Sequence, residues 1–139
     1  MDPVLTVVAG VTVLTVVGIA FGGTFMLRIV TGSRGANALQ KTMFRAGHAH
    51  AGVLVTLGLV VALLTQAAGV AATWSAVGSI LVLSAAILVP AGFFLSVLGE
   101  DPQRPNAWIR SVWAGFAVLV AGLVVAGVAT TVAGVSALG

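Results

Sequence analysis

Cysteine and tyrosine are absent from the 139 residues, and charged side chains make up only 6% of them. Without cysteine there are no disulfides, no thiol catalysis, no cysteine-bound zinc and no iron–sulfur cluster. Without tyrosine there is no tyrosyl chemistry. Six Lys and Arg set against three Asp and Glu are too few for a nucleic-acid-binding surface. No phosphate-cradling loop, nucleophile elbow or paired-carboxylate arrangement occurs, which argues against a hydrolase or kinase and favours a non-enzymatic role. What the chain has in abundance is apolar residues, 60% of the total, where a soluble domain has about 45–50%. A soluble globular domain and a disordered chain are both excluded, and the solvent this sequence suits is the lipid bilayer.

Four apolar stretches, at residues 4–30, 43–66, 74–98 and 108–135, each reach the roughly 20 residues needed to cross hydrocarbon as a helix. None alternates as a barrel strand does, and a helix satisfies its own backbone in lipid. The expectation is an all-α membrane protein, 1–139 as one transmembrane domain, with four helices in an up-down bundle. Met1, Asp2 and Pro3 lack the basic start of a signal peptide, so the first stretch is expected to remain as a spanning helix. The connections are 31–42, 67–73 and 100–106. Arg28, Arg34, Lys41 and Arg45 flank the first, Arg104 and Arg110 the third, and the opposite side has no Lys or Arg. Basic residues collect on the cytoplasmic side. This predicts a multi-pass plasma (inner) membrane protein with both termini outside. Arg28, Arg34 and Lys41 also suit anionic lipid headgroups.

The halves, about 1–68 and 69–139, resemble each other as a tandem repeat of a helical hairpin. Asn37 to Phe44 (NALQKTMF) aligns with Asn106 to Trp113 (NAWIRSVW), Ala46 to Ala49 (AGHA) with Ala114 to Ala117 (AGFA), and Phe25, Met26 and Leu27 with Phe93, Phe94 and Leu95. Arg45 is then an extra residue, and His48 stands where the other half has Phe116. An added residue inside a helix predicts a π-bulge, or a gap in the loop if the helix is regular. Breakers occupy matching places, Gly22 and Gly23 in the first helix and Pro90 in the third, so kinks are expected there. Matching interruptions in two repeats point to a binding site.

Both histidines fall in Phe44 to Gly52 (FRAGHAHAG), with His48 roughly 8 Å inside the second helix. Ionisable groups at membrane depth are functional candidates by default. Two residues apart, His48 and His50 face nearly opposite ways on a regular helix, which disfavours one shared metal. Lys41, Arg45, His48, Ala49, Gly52 and Thr56 form one polar, small-residue stripe expected to face the bundle interior. His50 shares its face with Gly47, Leu54 and Gly58. Three readings stay open: interior histidines bonded to backbone carbonyls, a haem or transition-metal site using His48 or His50 for electron transfer, and a proton- or anion-handling site with Arg45 beside His48. Met26, Met43, Glu100 and Asp101 are the available further ligands.

The FRAGHAHAG segment, with the later LVPAGFFLS run from Leu88 to Ser96, resembles small bacterial four-helix integral membrane proteins that have no assigned activity. The resemblance implies a fold and no chemistry. A shorter likeness links the segment to the histidine-bearing helices of haem–copper oxidase subunits, whose further histidines are missing here. Trp74, Trp108 and Trp113 suit interfacial anchoring, Gly18 and Gly22 form a close-packing G-x-x-x-G face, and Glu100 and Asp101 read as solvated loop charge. The functional expectation is a small-ligand-binding or accessory subunit with Arg45, His48, His50 and Thr56 at its site, homo-oligomeric or part of a larger membrane complex. An oligomeric transporter or channel is the remaining class, and no carboxylate inside a helix is there to couple ions.

Overall fold

The computed structural model describes residues 2–139. It consists of α1 (Pro3–Val30), α2 (Ala38–Ala67), α3 (Ala72–Leu95) and α4 (Arg110–Ser136), the last preceded by a 3₁₀ turn at Ala107–Ile109. Among the described residues there is no strand. Four helices are long and apolar enough to cross a membrane. Neighbours in sequence run antiparallel. The Asp2 backbone N–H donates to Gln66 Oε1 at 3.2 Å, joining the start of α1 to the end of α2. At the opposite end the Asn106 N–H donates to the Ser96 carbonyl at 2.8 Å. The first and third connections therefore share one end, the charged one.

Local chemistry sets the boundaries. Asp2 Oδ1 accepts from the Val4 and Leu5 N–H groups, and Pro3 follows at the first helical position, where its missing N–H costs nothing. α2 opens at Ala38 rather than at residue 43, because Asn37 and Gln40 form a capping box: Asn37 Oδ1 accepts from Gln40 N at 2.8 Å and Gln40 Oε1 from Asn37 N at 3.1 Å. α3 ends at Leu95 rather than at residue 98. Beyond it the Gln40 amide donates to the carbonyls of Val97 and Gly99, both at 3.1 Å. Gly99, at φ +122, turns the chain where other residues rarely go. Asn106 caps the 3₁₀ turn through the Trp108 N–H.

The interhelical seams differ in tightness. Between α3 and α4, a Cβ built on Gly92 would lie 2.6 Å from the Val112 backbone nitrogen. Cβ atoms on Gly115 and Gly122 would each lie 2.9 Å from a backbone nitrogen, those of Val89 and Val82. Glycine is what allows two backbones to approach this closely in lipid. Ser111 Oγ also donates across the seam to the Leu88 carbonyl at 2.8 Å. Between α2 and α3, glycines meet side chains instead: Gly47 lies under the Phe94 ring and Gly58 under Leu83. There the fully buried Thr65 and Ser75 hydroxyls hydrogen-bond each other near the short turn. α1 packs most thinly, burying Leu5, Thr12, Met26 and Ile29. The main core joins Leu54 and Val55 of α2 to Ala85, Ala86 and Val89 of α3 and Val112 of α4. A second cluster at the charged end gathers Met26, Ile29, Phe44 and Val97.

Gly22 and Gly23 lie within continuous α1, and Pro90 is buried within continuous α3. Lacking an N–H, Pro90 leaves the Ala86 carbonyl without its helical donor. α2 is α-helical throughout, without the π-bulge that an added residue suggested.

Candidate functional site at the seam of the first two helices

α2 lies between α1 on one side and α3 and α4 on the other, and its two histidines face these two sides. His48 is half-buried against α1. A Cβ on Gly22 would lie 3.7 Å from His48 Nδ1, and one on Gly23 would lie 3.8 Å from Nε2. The edge of the ring that carries both nitrogens thus rests on the paired glycines, which the sequence marked as a helix breaker and a pointer to a binding site. No polar atom of His48 is sealed off without a partner. The ring makes no hydrogen bond to a described residue, whereas His50 does.

His50 Nδ1 lies 2.8 Å from the Ala46 carbonyl one turn earlier. Since a carbonyl can only accept, Nδ1 carries a proton in that contact, and Nε2 faces away from it. The ring sits tilted against Phe93 of α3 at 5.2 Å and edge-on to Phe116 of α4 at 6.0 Å. His48 and His50 are not brought together. Among the described residues, no group of three or more His, Cys, Asp or Glu is placed to hold a metal ion.

The polar stripe of α2 is only partly interior. Arg45 and Thr56 are exposed, and Thr56 Oγ1 donates to the Gly52 carbonyl of its own helix at 2.9 Å. At about 100° per residue, Arg45 and Thr56 point within about 20° of each other, and His48 is turned about 60° from Arg45. The buried face carries Phe44, Gly47, Leu54, Gly58, Val61 and Thr65, and His48 lies at its border. Apolar side chains took the interior, and the charged members of the stripe, Lys41 and Arg45, stayed outside, where their long stems reach the interface.

Arg28, Arg34 and Lys41 are exposed at the charged end, with the Arg34 guanidinium 5.0 Å over the Phe25 ring. Glu100 and Asp101 are exposed as well, but Asp101 is not merely solvated. Asn37 Nδ2 donates to Asp101 Oδ1 and to the Pro102 carbonyl, each at 2.8 Å. With Gln40, Asn37 ties the third connection to the start of α2. Sequence reasoning missed this role, although the Asn-x-x-Gln spacing that builds it stands in the chain. Phe25, Phe44 and Phe94 form a ring cluster beneath, edge-on between Phe25 and Phe44 at 5.3 Å and stacked between Phe44 and Phe94 at 5.6 Å.

Four apolar helices with one imidazole at a thinly packed seam define an all-α, multi-pass membrane protein of the four-helix-bundle type. No protein-family model, curated protein or solved structure matches the chain.

Proposed function

We propose that the protein is a non-enzymatic membrane-integral binding module, acting alone or as an accessory subunit. Its site is the α1–α2 seam around His48, and its ligand is a lipid-soluble small molecule that hydrogen-bonds an imidazole. The observation that carries this reading is the His48 ring edge, which rests on Gly22 and Gly23 and makes no hydrogen bond to a described residue. An imidazole in a bilayer gains from any group that satisfies it. Arg45, exposed one turn toward the charged end, supplies a cation at the rim. The test compares the small molecules extracted with purified wild type and with His48→Phe, the residue found in the other half. A species bound to wild type and lost from an equally well-folded variant is the expected result. Identical extracts from a less stable variant would make His48 a packing residue only.

A second reading, a haem- or metal-binding electron-transfer protein, rests on His50. Its Nδ1–Ala46 hydrogen bond is the kind that orients metal-ligating histidines. His48 faces away and would not supply a further ligand to the same metal. A Soret band in the purified protein that disappears in His50→Ala would promote this reading.

The charged end is proposed to face the cytoplasm. A cysteine replacing Ser33 should be shielded from an impermeant reagent in whole cells, and one replacing Ala68 should label. The reverse pattern would overturn the orientation. The hairpin repeat belongs to the same proposal. Asn37 and Asn106, aligned by sequence, cap the starts of corresponding segments with similar extended geometry. The shorter copy opens with a 3₁₀ turn, which over three residues rises about 1.5 Å more than α-helix, the height of the one residue it lacks. Assembly with further copies would use α1, where nothing lies within 4 Å of a Cβ on Gly18.

A further inference from the structure

The charged end holds a cavity of about 580 Å³ between the first and third connections, within the size range of small-ligand sites. Phe25, Phe44 and Phe94 line its floor, and Arg34, Glu100 and Asp101 stand around it. Two of the three acidic residues in the whole chain are therefore here, at an end that otherwise carries positive charge. The lining charges come to one positive and two negative, a net of −1, inside a protein of net charge +3.

The arrangement is held in place. Asn37 grips Asp101 through one carboxylate oxygen, leaving the other available. Asp101 adopts φ +45, and Gln40 holds the carbonyls of Val97 and Gly99 alongside. Arg34 lies over the Phe25 face, so this aromatic floor already accepts one cation.

We infer that this cavity binds a phosphoethanolamine-type zwitterion, the headgroup of a lipid in the bilayer around it. Arg34 takes the phosphate, and Glu100 and Asp101 take the primary ammonium, whose three donors suit carboxylate oxygens. The aromatic floor receives the carbon-bound hydrogens of the glycerol and the start of the acyl chains. A purely anionic headgroup would leave both carboxylates unanswered, and a choline headgroup has no N–H to donate. The cavity also lies among the first turns of α2 and the last of α1 and α3, at the depth where headgroups sit. This inference does not depend on the role of His48.

The test reconstitutes the full chain in nanodiscs holding equal phosphatidylethanolamine, phosphatidylcholine and phosphatidylglycerol, then reads the lipids retained by native mass spectrometry. Phosphatidylethanolamine should be enriched over both others. Glu100→Gln with Asp101→Asn removes the charge while Asn tolerates the positive φ. It should lower that preference by roughly two- to fivefold per charge, the range of an exposed ion pair. Arg34→Gln should lower retention of all three lipids. Soluble glycerophosphoethanolamine separates the sources. Displacement of bound lipid shows that the cavity reads the headgroup alone, and failure to displace, with the preference intact, assigns the ligand to the bilayer. Equal retention of the three lipids by wild type, or a preference unchanged in the double variant, would overturn the inference. If the double variant does not fold, Glu100→Gln alone carries the same comparison.

Discussion

The two hairpins are built from similar segments and packed in opposite ways. In α3–α4, Gly92, Gly115 and Gly122 bring backbone against backbone, and Ser111 donates across the seam to Leu88. In α1–α2, Gly22 and Gly23 meet only the ring of His48, at ordinary contact distance, and Thr42, the counterpart of Ser111, bonds to Ala38 of its own helix. One hairpin uses glycine to remove space, and the other uses it to leave space beside an imidazole. In lipid, apolar faces gain nothing by leaving hydrocarbon for one another, so close van der Waals approach and interhelical hydrogen bonds hold helices together. Beside His48 the α1–α2 seam has neither, and the hydrogen bond from the Asp2 N–H to Gln66 lies at the far end of the hairpin.

The strongest break of this contrast is Gly92→Ala. Its Cβ meets the Val112 backbone nitrogen as well as the Val112 side chain, and the backbone cannot swing aside. A loss of about 2–3 kcal/mol is expected, at the upper end for overpacking. Gly18→Ala, with nothing within 4 Å, should stay within about 0.5 kcal/mol of wild type. Unfolding in mixed detergent measures both. Equal losses would mean that α1 is packed as tightly as α4.

Asn37→Ala comes next. It removes the cap of α2 and the tie to the third connection together, for an expected loss of about 1–2 kcal/mol. Asn106→Ala should fall at or below the lower figure, since its Nδ2 reaches only the Leu95 carbonyl at the end of α3. A cysteine placed at Gln103 should also label faster in the Asn37 variant. An unchanged labelling rate would remove Asn37 from any role in holding that connection.

Ser111→Ala should cost about 0.6 kcal/mol, the mean for an interhelical hydrogen bond in a membrane, and Thr42→Ala less than about 0.3 kcal/mol. The matched pair sharpens the comparison because the two hydroxyls occupy aligned positions.

Gly22→Ala with Gly23→Ala tests the ligand rather than the packing. The new methyls touch His48 at 3.7 and 3.8 Å without overlap, so stability should change by less than about 1 kcal/mol. The same methyls cover the nitrogen edge of the ring, and a ligand held by His48 should be lost. A variant that retains its ligand would place the binding site elsewhere.

Much of the architecture was legible in the sequence. The bilayer sets helix length and apolarity locally, so the four spans could be read from their own residues. The errors lay at helix ends. α2 starts at its Asn37–Gln40 capping box, before the apolar run from which its start was read, and α3 stops where Gln40 captures the chain. The site was legible in outline. The opposite directions of His48 and His50 follow from 100° per residue, and the structure agrees. That Arg45 and Thr56 stay outside does not follow, because a polar stripe has no inside until a neighbour is placed beside it.

By itself the sequence determined an all-α chain of four membrane-crossing helices, antiparallel in order, with its Lys and Arg at one end. Each of these is a property of a segment and its solvent. Tertiary structure alone decided that α1 is thinly packed, that Gly22 and Gly23 seat an imidazole while Gly92 and Gly115 seat backbones, and that Arg34, Glu100 and Asp101 surround one cavity. Those facts depend on distances between residues far apart in the chain. A glycine or a charge has the same local chemistry wherever it stands, and takes its role from what the fold brings against it.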